Sequence, residues 1–106
     1  MITVKYINKC VQLRGHANYA EIGKDIVCAG VSTLLQTLIQ SVETLTDDEI
    51  KYTMSPGKAD IEFRNLSGRS KTLLNSFFIG VEMIAYEYPK NVQIDQAWKS
   101  FLKATE

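Results

Sequence analysis

Val27, Val31, Leu34, Leu35, Leu38, Val42 and Leu45 recur at three- and four-residue spacing, with no proline among them. That period draws one apolar stripe along a helix, and the stripe has to be buried against something. A second stripe follows: Leu74, Phe77, Phe78, Val81, Ile84, Ala85 and Tyr88, stopped by Pro89. Each helix comes after a pair of short runs that alternate with strand period. In residues 2–7, Ile2, Val4 and Tyr6 alternate with Thr3 and Lys5; in residues 10–14, Val11 and Leu13 alternate with Gln12 and Arg14. Asn8-Lys9 turns the chain between them. The second pair sets Ile50, Tyr52 and Met54 against Ala59, Ile61 and Phe63, with "SPGK" as the turn.

The order β-β-α-β-β-α predicts an α+β two-layer sandwich, built from antiparallel hairpins with the two main helices on one sheet face. The other face then needs water, a partner subunit or the tail. Asp25 is the expected N-cap of the first helix, which ends near Leu45 or Thr46. In the tail, "NVQI" fits an edge strand, and Asp95 fits the cap of a short helix with Ala97, Trp98, Phe101 and Leu102 on its apolar side. Nothing repeats and no linker interrupts the pattern, so residues 1–106 read as one domain.

Composition removes several function classes. Twelve basic residues balance twelve acidic ones. A neutral chain has no general attraction to nucleic acid or anionic lipid, so direct nucleic-acid binding is not expected. No apolar run is expected to span a membrane, and the N-terminal residues lack the order of a secretory signal. Two cysteines without an export signal imply free thiols in a reducing cytoplasm. One histidine and two cysteines, without paired spacing, are too few for a zinc site, so neither metal nor cofactor is expected.

The chemistry then concentrates in residues 15–32, "GHANYAEIGKDIVCAGVS". With Asp25 as cap, Cys28 falls in the first helical turn, where unpaired N–H groups and the positive dipole end favour a thiolate. The same amides are placed to stabilise an oxyanion. His16, the only imidazole, ends the preceding strand and could return to Cys28 through the loop to act as its base. Ala29 and Gly30 leave room beside the thiol, and Ser32 sits one turn further on the same face. Asp25 has two readings, as orienter of the imidazole or as helix cap alone. Cys10 lies within a strand and reads as structural. Residues 67–71, "SGRSK", read either as an anion site at a helix start or as a solvated helix start. A thiol at the head of an apolar helix is also compatible with plain packing, which leaves a binding module or a dimerisation domain as alternatives.

The string resembles the signature of the ribosomal-processing cysteine protease family, the Prp family. That signature runs G-H-A, an aromatic, Ala, a Gly, then D-[IV]-[VI]-C-A and a Ser four after the Cys. The matching positions are Gly15, His16, Ala17, Tyr19, Ala20, Gly23, Asp25, Ile26, Val27, Cys28, Ala29 and Ser32. The resemblance implies a cytoplasmic endopeptidase that removes the N-terminal extension of large-subunit ribosomal protein number twenty-seven during ribosome maturation. It implies Cys28 as nucleophile and His16 as general base, with Gly15, Asp25 and Ser32 supporting them. It further implies a homodimer and a mobile substrate loop, to which Ala17, Tyr19 and Gly23 belong. On this reading the partner is a ribosomal protein precursor, and a non-catalytic ribosome-associated module is the alternative.

Overall fold

The computed structural model describes residues 1–21 and 23–102. The elements are β1 (Ile2–Ile7), β2 (Cys10–Arg14), α1 (Ile26–Leu45), β3 (Ile50–Ser55), β4 (Lys58–Phe63), α2 (Gly68–Glu87), β5 (Val92–Ile94) and α3 (Trp98–Leu102). The expected α+β architecture is present. The five strands form one sheet in the order β3-β4-β2-β1-β5. Neighbours are antiparallel except β1 and β5, which run parallel with Ile2 opposite Val92 and Val4 opposite Ile94. The tail strand therefore extends the expected order and makes the sheet mixed. A parallel partner for β1 needs a crossover, and α2 supplies it.

Register follows the apolar alternation. Val4 pairs with Leu13, Val11 with Ile61 and Leu13 with Ala59. This puts Ile2, Val4, Tyr6, Val11, Leu13, Ala59, Ile61 and Phe63 on one face, all buried. A slip of one residue would carry every one of them to the solvent face. The opposite face carries Lys5, Gln12, Arg14, Asp60 and Glu62, and Arg14 pairs with Asp60 at 2.8 Å. Asn8 and Lys9 take positive φ, 52° and 61°, the conformation a two-residue hairpin turn demands.

Both long helices lie on the apolar face. α1 buries Val27, Val31, Leu35, Leu38, Ile39 and Val42. Leu45, expected on this stripe, is 54% exposed at the helix end, and Ile39 takes a buried place that the stripe did not include. By length and composition alone, α1 passes for a membrane span, which corrects the expectation that no such run exists. Its buried residues belong to one core cluster with those of the sheet, as in the core helix of a folded domain. The two helices close on each other at small residues: a Cβ on Gly80 would meet Leu34 Cδ2 at 2.9 Å, and one on Gly30 would meet Ile84 Cδ1 at 3.3 Å.

Phe78 anchors the second helix. It is fully buried, stacks on Trp98 with centroids 5.2 Å apart, and meets Tyr6 and Phe77 edge-on. Asp95 accepts from the Ala97 N–H at 2.8 Å and starts α3. Ala97 is exposed, and Trp98 carries the burial. The expected apolar side chains of Phe101 and Leu102 lie outside the described residues.

Tyr52 and Met54 keep the alternation of the third strand without being buried. They share a face with buried Ile61 and Ala59 yet are 44% and 45% exposed. β3 is the sheet edge, and its apolar row stays half in water.

The start of α2 settles residues 67–71. Ser67 is the N-cap, and its hydroxyl accepts from the Ser70 N–H at 3.3 Å. Asp48 Oδ2 accepts from the Ser67 N–H at 2.9 Å, from the Ser67 hydroxyl at 2.6 Å and from the Ser70 hydroxyl. Its Oδ1 accepts from Asn65 Nδ2 at 2.8 Å. An anion does sit at this helix start, and it is the chain's own carboxylate. Neither a free anion site nor a merely solvated start describes it.

Candidate active site

The end of β2 is held by backbone bonds that leave little freedom around His16. The Gly15 N–H donates to the Gly57 carbonyl at 2.8 Å. The Met1 nitrogen donates to the His16 carbonyl. Asn91 Nδ2 donates to the Ala17 carbonyl at 2.9 Å. Gly15 has φ +91°, and a Cβ there would stand 2.2 Å from the Met1 carbonyl oxygen. Glycine is required twice over at that position, for its backbone angle and for space.

Residue 17 then turns inward. Ala17 is 1% exposed, so its side chain belongs to the core rather than to a substrate surface. Its N–H donates to the Cys28 sulfur at 3.3 Å. This bond brings the end of β2 onto the start of α1, and it aims a donor at the sulfur. Cys28 is partly buried at the edge of the core. Ser32, one turn further, is exposed.

Asp25 joins the loop to the helix. Its Oδ1 accepts from the Val27 and Cys28 N–H groups, both at 3.0 Å. Its Oδ2 accepts from the Tyr19 N–H at 2.9 Å and the Ala20 N–H at 3.2 Å. The carboxylate is thus the helix cap and the clasp of loop 16–24 together, and these four bonds leave the imidazole-orienting reading without a contact. They also correct the expectation for the oxyanion. The Val27 and Cys28 amides are committed to Asp25 and are not free to serve a reacting carbonyl.

The remaining loop residues follow from these anchors. Tyr19 packs edge-to-face on Tyr88 at the end of α2, centroids 5.2 Å apart, and remains 47% exposed. Asn18 and Gly23 take positive φ, 55° and 87°, which sharpen the loop on either side of Tyr19. The His16 imidazole is exposed and lies over the β3–β4 turn, close to Gly57. Among the described residues no hydrogen bond joins it to Cys28, and no three His, Cys, Asp or Glu side chains gather where they could hold a metal ion. Sequence reasoning missed Asn91, which reaches Ala17 across 74 positions of chain, and Gly57, which was legible only as a turn residue.

The two thiols differ in surroundings. Burial pushes the Cys10 thiol up from its ordinary range, and the negative charges of Asp60 and Glu62 push it further. That environment disfavours a thiolate. Cys28 has a backbone donor on its sulfur and lies in the first turn of α1.

Two carboxyls link the scaffold to pH. Hydrogen bonds from the backbone, that of Cys28 foremost, hold the Asp25 carboxyl below its ordinary value of 3.8 against a smaller opposing effect of desolvation. For Asp48, burial favours the neutral acid, but the hydrogen bonds from Ser67 and Ser70 together outweigh it and lower the carboxyl. A depressed folded value adds stability above the ordinary carboxylate range, and that stability drains away as pH falls through it. The denaturant midpoint is therefore expected to drop as pH is lowered below about 4. Asp48→Asn should flatten part of that drop while lowering the midpoint at neutral pH. A midpoint that stays level down to strong acid would contradict this.

Comparison with known proteins agrees with the fold and the motif. The family model "Cysteine protease Prp" matches residues 1–93. The ribosomal processing cysteine protease Prp of Staphylococcus aureus is 28% identical over 88 residues, covering 80% of this chain and 83% of that protein. The Bacillus subtilis protein of the same name is 28% identical over 93 residues, with 78% and 80% covered. Among solved structures, the S. aureus protease with a covalently linked product peptide superposes with TM-score 0.84 at 26% identity, covering 90% of this chain and 98% of that one. A Streptococcus mutans structure gives TM-score 0.75 at 31% identity, with 90% and 92% covered. With a match over most of its length, a mixed sheet backed by two helices, and the Gly-His and Asp-x-x-Cys elements meeting at one end of that sheet, the chain belongs to the Prp family of cysteine proteases.

Proposed function

We propose that this chain is the endopeptidase that removes the N-terminal extension of large-subunit ribosomal protein number twenty-seven, with Cys28 as nucleophile and His16 as general base. The observation that carries the reading is the bond from the Ala17 N–H to the Cys28 sulfur, because it sets the residue next to His16 against the thiol. The names of the relatives, ribosomal processing proteases, support the substrate class.

His16 takes the thiol proton, and the Cys28 thiolate attacks the scissile carbonyl to give a tetrahedral oxyanion. The C–N bond then breaks, and the leaving amine receives the proton from the imidazolium. The acyl group remains on sulfur as a thioester. A water molecule, deprotonated by His16, attacks the thioester and returns the free thiol. No metal or cofactor enters the cycle. The contact between imidazole and thiol tightens when the loop settles over bound peptide, since catalytic contacts commonly tighten only on binding. Ser32 and the exposed edge of Tyr19 border the peptide on this reading, and Gly23 gives the loop its freedom to move.

The protein acts in the cytoplasm as a homodimer, and the support for the dimer is the exposed row Ile79, Met83 and Tyr86 on α2. Sedimentation at micromolar concentration reads this, and a monomer would remove it.

The direct test is cleavage of a synthetic peptide spanning the extension junction, followed by mass spectrometry. The wild-type chain is expected to release the extension at one bond. His16→Ala should lower the rate by about two to four orders of magnitude with the fold intact, the range attributed to general base catalysis. An uncut junction peptide, or a His16→Ala variant as fast as wild type, would overturn the assignment.

A further inference from the structure

Resting on the reading of His16 as base, we infer that Gly57, in the turn between β3 and β4, is a positioning residue that seats the His16 imidazole. His16 is the only histidine in the chain and its side chain is exposed. Its backbone is tied on every side: Gly15 to Gly57, the His16 carbonyl to Met1, and Ala17 to Asn91 and Cys28. What remains to be set is the direction of the ring.

The turn sets it. A Cβ built on Gly57 would stand 2.8 Å from His16 Nε2 and 3.4 Å from both Cδ2 and Cε1. The ring edge therefore rests on the bare α-carbon of residue 57. Ordinary van der Waals contact with a Cβ begins near 3.4 Å, so any side chain here moves the nitrogen by several tenths of an ångström or more. Gly57 also has φ +73°, which other residues adopt at a cost. The Gly15 N–H bond to the Gly57 carbonyl locks the seat to the residue just before the histidine, so turn and base move together. The ring nitrogen that faces the turn is one of the two that can carry the proton, so its placement bears on proton transfer and not on packing alone.

Backbone strain and ring displacement separate experimentally. Asparagine tolerates positive φ better than other side chains, yet it carries the Cβ. Gly57→Asn is therefore expected to fold with a melting temperature within a few degrees of wild type. It should lower kcat on the junction peptide by about ten- to a hundredfold, with KM within about twofold, as a misplacement approaching an ångström does. Because there is one histidine, its ring resonances are unambiguous in a ¹H–¹³C spectrum, and they should shift in Gly57→Asn. Pro56→Ala, at the neighbouring turn position, should change neither quantity. Full kcat with unmoved histidine resonances in the folded variant would overturn the proposal.

A second measurement needs neither variant nor substrate. In the wild-type chain, the ring protons of His16 should show a nuclear Overhauser effect to the Gly57 α-protons. Its absence would refute the seat even if Gly57→Asn did not fold. Failure of the wild-type chain to cut the junction peptide would instead refute the assigned reaction and leave the seat standing on the NMR result.

Discussion

Cys28→Ala is expected to abolish cleavage, lowering kcat by at least about four orders of magnitude, as loss of a covalent nucleophile does. That corresponds to more than about 5 kcal/mol of transition-state stabilisation. Cys10→Ala should leave the rate unchanged. The contrast comes from surroundings. Cys10 lies among Asp60 and Glu62 on the polar sheet face, in a setting that keeps its proton on. Cys28 stands at the head of α1 with the Ala17 N–H on its sulfur. The alanine variant should still fold, because Cys28 is only partly buried and the Asp25 clasp uses its backbone rather than its side chain. A melting temperature close to wild type together with no turnover is the expected pair of results. A Cys28→Ala chain that cuts at the normal rate would end the cysteine mechanism for this site.

Phe78→Ala is expected to destabilise the fold by about 3–5 kcal/mol, the usual cost of emptying a phenylalanine site in a core. Its ring touches Tyr6 of β1, Phe77 of α2 and Trp98 of α3, so one truncation loosens three elements. The neighbours come from different elements and cannot all relax into the space. With total stability of a domain near 5–15 kcal/mol, such a loss is a large share. The urea midpoint reads it. Phe78→Leu should recover much of the stability, because most of the buried volume returns. A change below about 1 kcal/mol for the alanine variant would mean that the aromatic cluster is not the centre of the core.

The parts of this fold that are local in sequence were legible. Both hairpins follow from alternation, and both long helices from period and caps, because each signal lies within a few residues. Asp25 was legible as a cap for the same reason. Its grip on Tyr19 and Ala20 was not, since that depends on where the loop returns. Tyr52 and Met54 show the limit of alternation. It reports which side of a strand a residue takes, not whether a helix covers that side, and β3 proved to be an edge. Asp48 at the start of α2 shows the same limit for charge, because a carboxylate from a distant loop replaced the solvent or ligand that a local reading supplies. In the site, the order Gly15, His16, Asp25, Cys28 was visible in the string. Asn91 and Gly57 came only with the third dimension, one from the loop before β5 and one from a turn on the far hairpin.

The most direct test of Cys28 as nucleophile is to trap it. The folded chain is incubated with a peptide vinyl sulfone matching the residues before the junction, whose double bond the thiolate adds to, giving a stable thioether, and the digest is mapped by mass spectrometry. The added mass is expected on the peptide containing Cys28 and absent from the one containing Cys10, with His16→Ala slowing its formation. Label on Cys10, or none on either thiol while cleavage proceeds, would contradict the account.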